Sequence, residues 1–591
     1  MNLILGVHAH QPVGNWEGVF EWAFERCYGP FLEVLSRFRG VKVAFHLSGP
    51  LLEWLVANRP SFVERLGEML GDGRAELLGG GMYEPILAVV PERDAMGQLE
   101  MMSSFLERTF GVRPRGAWLA ERVWEPHLPK LLAEAGVEYV FLDDRHFVCA
   151  GLEESELVGH FLTEHDGRRL SVFPISQKLR YIIPFKDLDL LSEHLRGIDG
   201  AGIVFDDYEK FGLWPDTYEW VYQRGWLERF FELLSEGSIR SFLPSDWIRL
   251  NPPRGLVYLP TCSYVEMEEW SLEPRRALLF RELLDEVKGR GEGPLSLVRG
   301  GHWRNFLRKF PEANRLHKRV FWVSALVEDM PEGEERRKAK VEVYKSQCND
   351  AYWHGIFGGF YLPHLREALL KHLIRAEAIA LGRRSLVWTF DGDSDGMDEI
   401  LVVTPRVGFT LAPSRGGALV ELTERSCGVS WSNVITRRKE HYHLMAERRE
   451  RAISSAAEGG IATIHERTFE LGDVELEEDS RPRLFLSETL EGQDGLRVSL
   501  EDVRMTPHFL DEFSFQMFPR CRNPLVDLGF SHKSVSLVDM SLIIKYHFEG
   551  APRVPLKARL SFSLSVSSRD HLVFRAGGLS VVPGLDGLEV G

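Results

Sequence analysis

Seven short apolar runs punctuate the first 270 residues, and nearly every one gives way at once to a histidine or a carboxylate. The runs cover residues 3–7, 41–47, 75–78, 116–120, 139–142, 170–175 and 202–205, with amphipathic stretches such as 31–38 and 129–135 between several of them. Strand-length apolar runs alternating with helical periodicity predict a parallel sheet with crossover helices. Seven such units suit a distorted seven-stranded β/α barrel, in which the carboxyl ends of the strands converge on one face. His8 and His10 follow the first run, His46 closes the second, and Glu84 comes just after the third. Glu121 follows the fourth run, Asp143 and Asp144 the fifth, Asp206 and Asp207 the seventh. Ordinary helix caps account for one or two of these residues. The whole series predicts one polar cleft.

From about residue 274 the period turns helical, in 275–287, 316–327 and 365–381, broken by the charged stretch 332–338. After 382 it becomes two, with turn signals at Asp391-Gly-Asp-Ser-Asp-Gly and Ser414-Arg-Gly-Gly, and segments 484–488, 541–548 and 558–566 alternate like strands. That pattern predicts an antiparallel sandwich. The expected division is a catalytic barrel over 1–272, a helical domain over 273–381 packed on it and completing the cleft, and a β-sandwich over 382–591. A chain of 591 residues exceeds what one core organises.

Charge narrows the partners. A net charge of −16 argues against nucleic acid or an anionic membrane, both of which need a positive surface. Cys27, Cys149, Cys262, Cys348, Cys427 and Cys521 are scattered without a CxxC pair, so buried free thiols in a reducing compartment are expected. The start lacks the marks of a secretory signal, and no apolar run approaches the ~20 residues of a membrane span. A cytoplasmic protein follows, with a homodimer as one open assembly.

Five segments carry chemistry-bearing residues. His8-Ala-His10-Gln11-Pro12 places two imidazoles on one extended strand end, able to bind a metal or to donate to a polar ligand. Gly79-Gly-Gly-Met-Tyr83-Glu84-Pro85 lets the backbone turn sharply and admit a ligand, or is a plain loop with a glutamate. Trp118-Leu-Ala-Glu121-Arg122-Val-Trp124-Glu125 sets carboxylates beside a guanidinium, which favours their ionised form, and beside indoles that can hold a sugar. Either glutamate can serve as a nucleophile; Glu121 lies nearer the strand end. Asp206-Asp207-Tyr208-Glu209-Lys210 crowds three carboxylates, raising at least one pKa toward that of an acid catalyst. Trp214 follows closely, and such aromatic company is unusual for a solvated turn. Asn349-Asp350-Ala-Tyr352-Trp353-His354 has the spacing of a helix facing the cleft, and the loop 261–270, ending in Trp270, is aromatic and acidic enough to stack sugars.

In this order the five segments resemble glycoside hydrolase family 57, whose HQP, YEP-type, WLxERVW, DDxEKFG and late ND-AYWH strings all have counterparts here. The likeness is strongest to its 4-α-glucanotransferase and α-amylase subgroup. It implies a retaining enzyme on α-1,4-glucans, with Glu121 as nucleophile, Asp207 as general acid/base, and no metal or organic cofactor. It also implies a donor-sugar subsite lined by His10, Glu84, Glu209 and Asp350. His8, Gln11, His46, Trp118, Arg122, Trp214, Trp270, Trp353 and His354 complete the expected substrate-binding set. Tyr208 stands where the subgroup leads one to expect glycine. Two other classes compete. A zinc-dependent deacetylase needs histidines four apart, and no two in this chain are, but a mannosidase-type metal cluster of His8, Asp143 or Asp144 and His46 stays open to metal analysis; a non-catalytic glucan-binding protein need not keep Glu121 and Asp207 together. Transferase and hydrolase share one intermediate and differ in the acceptor. The subgroup likeness and the aromatic lining favour the transferase.

Overall fold

The computed structural model describes residues 1–290, 292–356, 358–447, 460–461, 477–492, 496–520, 525, 528–538, 541–549, 556–562, 574–576 and 579–581. The chain divides into two compact units that interleave in sequence. The first comprises Met1–Phe310, Gln347–Phe360 and Lys439–Glu475; the second comprises Pro311–Ser346, Tyr361–Arg438 and Leu476–Gly591.

Two sheets build the centre of the first unit. One is parallel, in the order β3 (Ala75–Leu77), β2 (Val43–Leu47), β1 (Asn2–Ala9) and β8 (Gly202–Asp207), with β9 (Arg240–Phe242) beside the first residues of β1. The other runs β4 (Gly116–Ala117), β5 (Tyr139–Asp143), β7 (Arg168–Ile175), with β6 (Phe161–His165) antiparallel at its edge. They are stitched at two places. Gly79 N–H donates to Gly116 O and Trp118 N–H to Gly79 O, each at 2.9 Å, and Ser176 N–H donates to Ile203 O at 2.9 Å. The parallel strands thus make a distorted barrel of two sheets rather than one uninterrupted ladder.

The apolar runs are strands because both their faces are covered: Leu3, Ile4, Leu5 and Val7 are at most 1% exposed. Ile4, Ala44, Trp118, Phe141, Phe173 and Phe205 pack together inside the barrel. Gly6 makes room for this filling, since a Cβ there would stand 2.1 Å from the Phe205 ring. Strands β6 and β9 went unread in the sequence, being short or polar at their ends.

The second unit opens with helices Pro311–Glu328, Glu334–Ser346 and Pro363–Leu381. The charged stretch 332–338 therefore begins a helix where a break was expected. Acidic residues suit a helix N-terminus, and Lys338 pairs with Glu334 at 2.9 Å, one turn away. Antiparallel sheets follow. Ile400, Phe409 and Leu411 from one share a core with Phe515, Met517 and Val535 from another, the face-to-face packing of a sandwich. Strands Leu486–Gly492, Ser541–Phe548 and Leu556–Phe562 overlap the alternating segments read above; residues 563–566 of the last lie outside the described residues.

Candidate active site

Strand ends of the barrel deliver the polar residues to one place. His8 is the next-to-last residue of β1, and the neighbouring β2 carries His46 in register with it. The two Nδ1 atoms lie 2.8 Å apart, so one ring donates to the other, and burial with mutual repulsion keeps His8 well below its usual pKa. His46 is fully buried, which lowers it to about 3. Trp118, 2% exposed, stacks on His8 with ring centroids 4.5 Å apart. Beyond the strand, His10 Nε2 meets Asp350 Oδ2 at 2.9 Å. Burial opposes the charge on each of this pair, yet their attraction prevails, raising His10 and lowering Asp350. Gln11 donates from Nε2 to Tyr28 Oη at 3.0 Å, and Tyr28 donates in turn to Glu209 Oε1 at 2.5 Å.

Glu84 and Glu121 both occupy left-handed backbone, at φ 52° and 55°, and Arg122 follows at φ 50°. For residues with a Cβ this costs about 1–3 kcal/mol each and persists only where the surroundings fix it. The fixings are visible. Asn349 donates to Glu84 O from backbone N at 3.1 Å and from Nδ2 at 2.8 Å. Ser263 Oγ donates to Glu121 O at 2.6 Å, and Tyr264 Oη to Glu121 Oε2 at 2.5 Å. Burial pushes Glu84 up to about 8, with Asp350, Glu121 and Glu209 adding to the rise.

Glu121 corrects one expectation. Burial raises it to about 7 despite the Tyr264 hydrogen bond and the Arg122 charge, so the adjacent guanidinium does not by itself hold it ionised. Arg122 serves several groups. Its guanidinium approaches Asp143 at 3.9 Å and Asp206 at 3.8 Å and lies 4.3 Å from the Tyr264 ring centre.

Asp206 and Asp207 are neighbours on β8 whose side chains take opposite sides of the strand. Asp206, 5% exposed, accepts from Arg180 Nε at 3.1 Å and is paired with Lys210. Desolvation opposes its charge, but Arg180, Lys210 and Arg122 outweigh it and hold the carboxyl below the usual range. Asp207 is raised, first by burial and then by the fixed negative charge of Asp206. Glu209, part-exposed, is raised to about 7, first by desolvation and then by the charge of Asp207. Asp207 also raises Glu121, which puts the two within electrostatic reach of each other.

The late segment is not a helix. Residues Asn349–Tyr352 form a single 3₁₀ turn belonging to the first unit, which still brings Asp350 to His10. Trp353 and Trp270 stack with centroids 6.1 Å apart, and Tyr264 meets Trp270 edge-on at 6.0 Å. Trp214 is 7% exposed and packs on Lys210 and Phe185, behind the carboxylates. His354 turns to Gly358 O at 2.7 Å and Tyr442 Oη at 3.1 Å. Tyr28 and Arg180 lay outside every segment picked out by sequence, whereas Lys210, Asn349 and Tyr264 lay inside such segments without being given a role.

Two ligand sets in this cluster have metal-like spacing: His8, His46 and Glu84; and His10, Cys348 and Asp350. In the first, the histidine Nδ1 atoms face each other; in the second, His10 and Asp350 satisfy each other. Of the expected buried thiols, Cys27, Cys262 and Cys348 are buried, Cys149 is part-exposed and Cys427 exposed; Cys521 lies outside the described residues.

A parallel α/β barrel whose strand ends gather buried carboxyls beside stacked indoles has the anatomy of a glycosidase. Residues 4–260 match the family description glycosyl hydrolase family 57. Residues 301–380 and 391–562 match the middle and C-terminal domains of alpha-amylase/4-alpha-glucanotransferase. An alpha-amylase of Pyrococcus furiosus is 44% identical over 482 residues, covering 80% of this chain and 71% of its own. A 4-alpha-glucanotransferase of Thermococcus kodakarensis is 43% identical over 502 residues, 83% of this chain and 74% of its own. The crystal structure of 4-alpha-glucanotransferase from Thermococcus litoralis superposes with a TM-score of 0.81 at 35% identity, covering 95% of this chain and 86% of that one. The chain belongs to glycosyl hydrolase family 57.

Proposed function

We propose that this chain is a retaining 4-α-glucanotransferase acting on α-1,4-glucans. Glu121 attacks the anomeric carbon while Asp207 protonates the departing glycosidic oxygen, leaving a glycosyl ester on Glu121. Asp207, now ionised, then takes the proton of an incoming sugar hydroxyl as that oxygen attacks the ester and releases Glu121. The observation that carries this reading is the opposite treatment of the adjacent aspartates. Asp206 is locked ionised among Arg180, Lys210 and Arg122, and its charge helps keep a proton on Asp207. His10, Glu84, Glu209 and Asp350 are assigned to the donor sugar, and the Trp270–Trp353 stack to further glucose units. Two carboxyls suffice for this chemistry, so activity is expected to be insensitive to chelators.

The rival reading is an α-amylase using the same two carboxyls with water as acceptor, favoured by the amylase names among the relatives. Maltotriose separates them. Glucose with longer maltodextrins is the expected product of transfer, whereas glucose and maltose alone would show hydrolysis. Glu121→Ala and Asp207→Ala are each expected to lower maltotriose turnover by orders of magnitude; wild-type rates from either would remove its role. We further propose the three-part division at residues 272 and 381, and a cytoplasmic location suited to free thiols. Among the described residues no helix is long and apolar enough to cross a membrane.

A further inference from the structure

Two cysteines that the proposed chemistry does not use lie beside each other behind the loop that carries Tyr264. Cys149 follows the short helix Asp144–Val148 at the end of β5 and is part-exposed. Cys262 is 4% exposed. Their sulfurs and a carboxylate oxygen of Glu268 all lie within 4.8 Å of one another. Arg145 donates to Glu268 Oε2 from Nε at 3.2 Å and from its terminal nitrogen at 2.9 Å, and Arg299 donates to Cys149 O at 3.2 Å. The neighbouring Cys262 thiol, with Arg145 and Arg299, draws the Cys149 thiol down to about 7 against its burial. Nearby guanidinium groups favour a thiolate and oppose a divalent cation, so this set suits redox chemistry better than metal binding.

We propose that Cys149 and Cys262 form a reversible dithiol–disulfide pair whose oxidation state sets the position of Tyr264 against Glu121. The connection runs through two residues. Cys262 is paired with Trp124 through backbone hydrogen bonds of 3.0 and 3.2 Å, Ser263 holds Glu121 O, and Tyr264 holds the Glu121 carboxyl. Covalent closure moves the Cys262 sulfur toward Cys149 and strains that short anchored stretch. The oxidant is a small-molecule disulfide, which reaches Cys149 because Cys262 is buried. The Cys149 thiolate attacks one of its sulfurs, the old S–S bond breaks, and the first thiolate leaves. Cys262 then attacks the Cys149 sulfur of the mixed disulfide, giving its proton to Glu268, whose Oε1 lies 3.5 Å away. The second small thiolate departs, and protons from Glu268 and solvent neutralise what has left. Two protein thiols are oxidised as one external disulfide is reduced to two thiols.

The test uses the full chain with oxidised glutathione at about pH 8, where thiolates form, followed by alkylation, digestion and mass spectrometry. Peptides bearing Cys149 and Cys262 are expected to be disulfide-linked. On maltotriose, kcat is expected to fall about threefold or more with KM little changed, and the acid limb of the pH profile to move upward, both reversed by dithiothreitol. Cys149→Ala, or Cys149→Ser should the first misfold, is expected to keep basal turnover and lose the response. Glutathione on Cys149 without the crosslink overturns the pairing; a response that survives in the Cys149 variant overturns it too. The activity arm rests on Glu121 being the nucleophile, so a second readout is independent of it. In crystals of the oxidised protein the Tyr264–Glu121 hydrogen bond is expected to be broken. An intact bond overturns the coupling, whatever the substrate proves to be.

Discussion

Tyr264 donates to Glu121 across 2.5 Å, and that bond favours the ionised carboxyl where burial disfavours it. The proposed nucleophile must be ionised to attack, so the acid limb of kcat/KM is expected near the value of about 7 held by Glu121. Removing the hydroxyl in Tyr264→Phe takes away a stabilising contact of the charged form. The limb should move to higher pH, with kcat/KM below it falling about tenfold, the equivalent of one pKa unit. An unshifted limb in a pH–rate profile would dissociate Tyr264 from the nucleophile. Glu84 gives the matching stability test. Its pKa rises from 4.5 to about 8 on folding, so the folded state binds the extra proton. Stability linked to that proton is fully present below pH 4.5 and is lost as pH rises through 8. Glu84→Gln cannot lose it, and denaturant melts should show the variant gaining on wild type between those limits, by a few kcal/mol at most. Tyr264 shows why the sequence reveals a candidate nucleophile more readily than its support. Glu121 sits among tryptophans and an arginine in one string, whereas its closest partner is 143 residues away.

At the scale of the element, β1 joins structure and chemistry within eleven residues. Leu3 to Val7 are covered on both faces of the strand, with Ile4 in the barrel core, and His8, His10 and Gln11 reach the cleft. Gly6 carries the least obvious demand. Adding a methyl in Gly6→Ala drives it into the Phe205 ring, which stands on β8 just before Asp206 and Asp207. Overpacking of this kind costs about 1–3 kcal/mol. Both the melting temperature and turnover are expected to drop; a variant with wild-type melting would show that the ring yields freely. The apolar runs were legible because burial on both faces leaves an unbroken hydrophobic signature. The turn at Asn349–Tyr352 was misread as helix because its polar residues happen to recur at helical spacing, while contacts with Glu84 and His10 fix its true shape. Similarly, the charges at 332–338 look like a loop until their pairing along a helix is counted.

For the whole molecule, interleaving is the feature that composition and period could not convey. The first unit is completed by segments beyond Phe310, and one of them supplies a buried ion pair: Lys309 Nζ lies 2.6 Å from Glu440 Oε2, with both side chains at most 4% exposed. A chain cut after Leu381 keeps every carboxyl assigned to the cleft yet strands Lys309. Breaking such a pair costs about 3–5 kcal/mol. The shortened protein is therefore expected to melt earlier and to lose maltotriose turnover, and Glu440→Gln in the full chain to lower the melting temperature in the same direction. Full activity and wild-type melting in the shortened protein would show that the barrel region stands alone.

His10 meets a carboxylate 340 residues further along the chain. During translation, at about 5–20 residues per second, that distance corresponds to tens of seconds. Once residue 207 has been made, and until residue 350 follows, the emerging polypeptide carries Glu121 and Asp207 without Asp350, and Glu84 without the asparagine that clamps its carbonyl. The ribosome thus imposes an order: the cleft stays unfinished until synthesis is past its midpoint, and the nascent chain is expected to be inert until then.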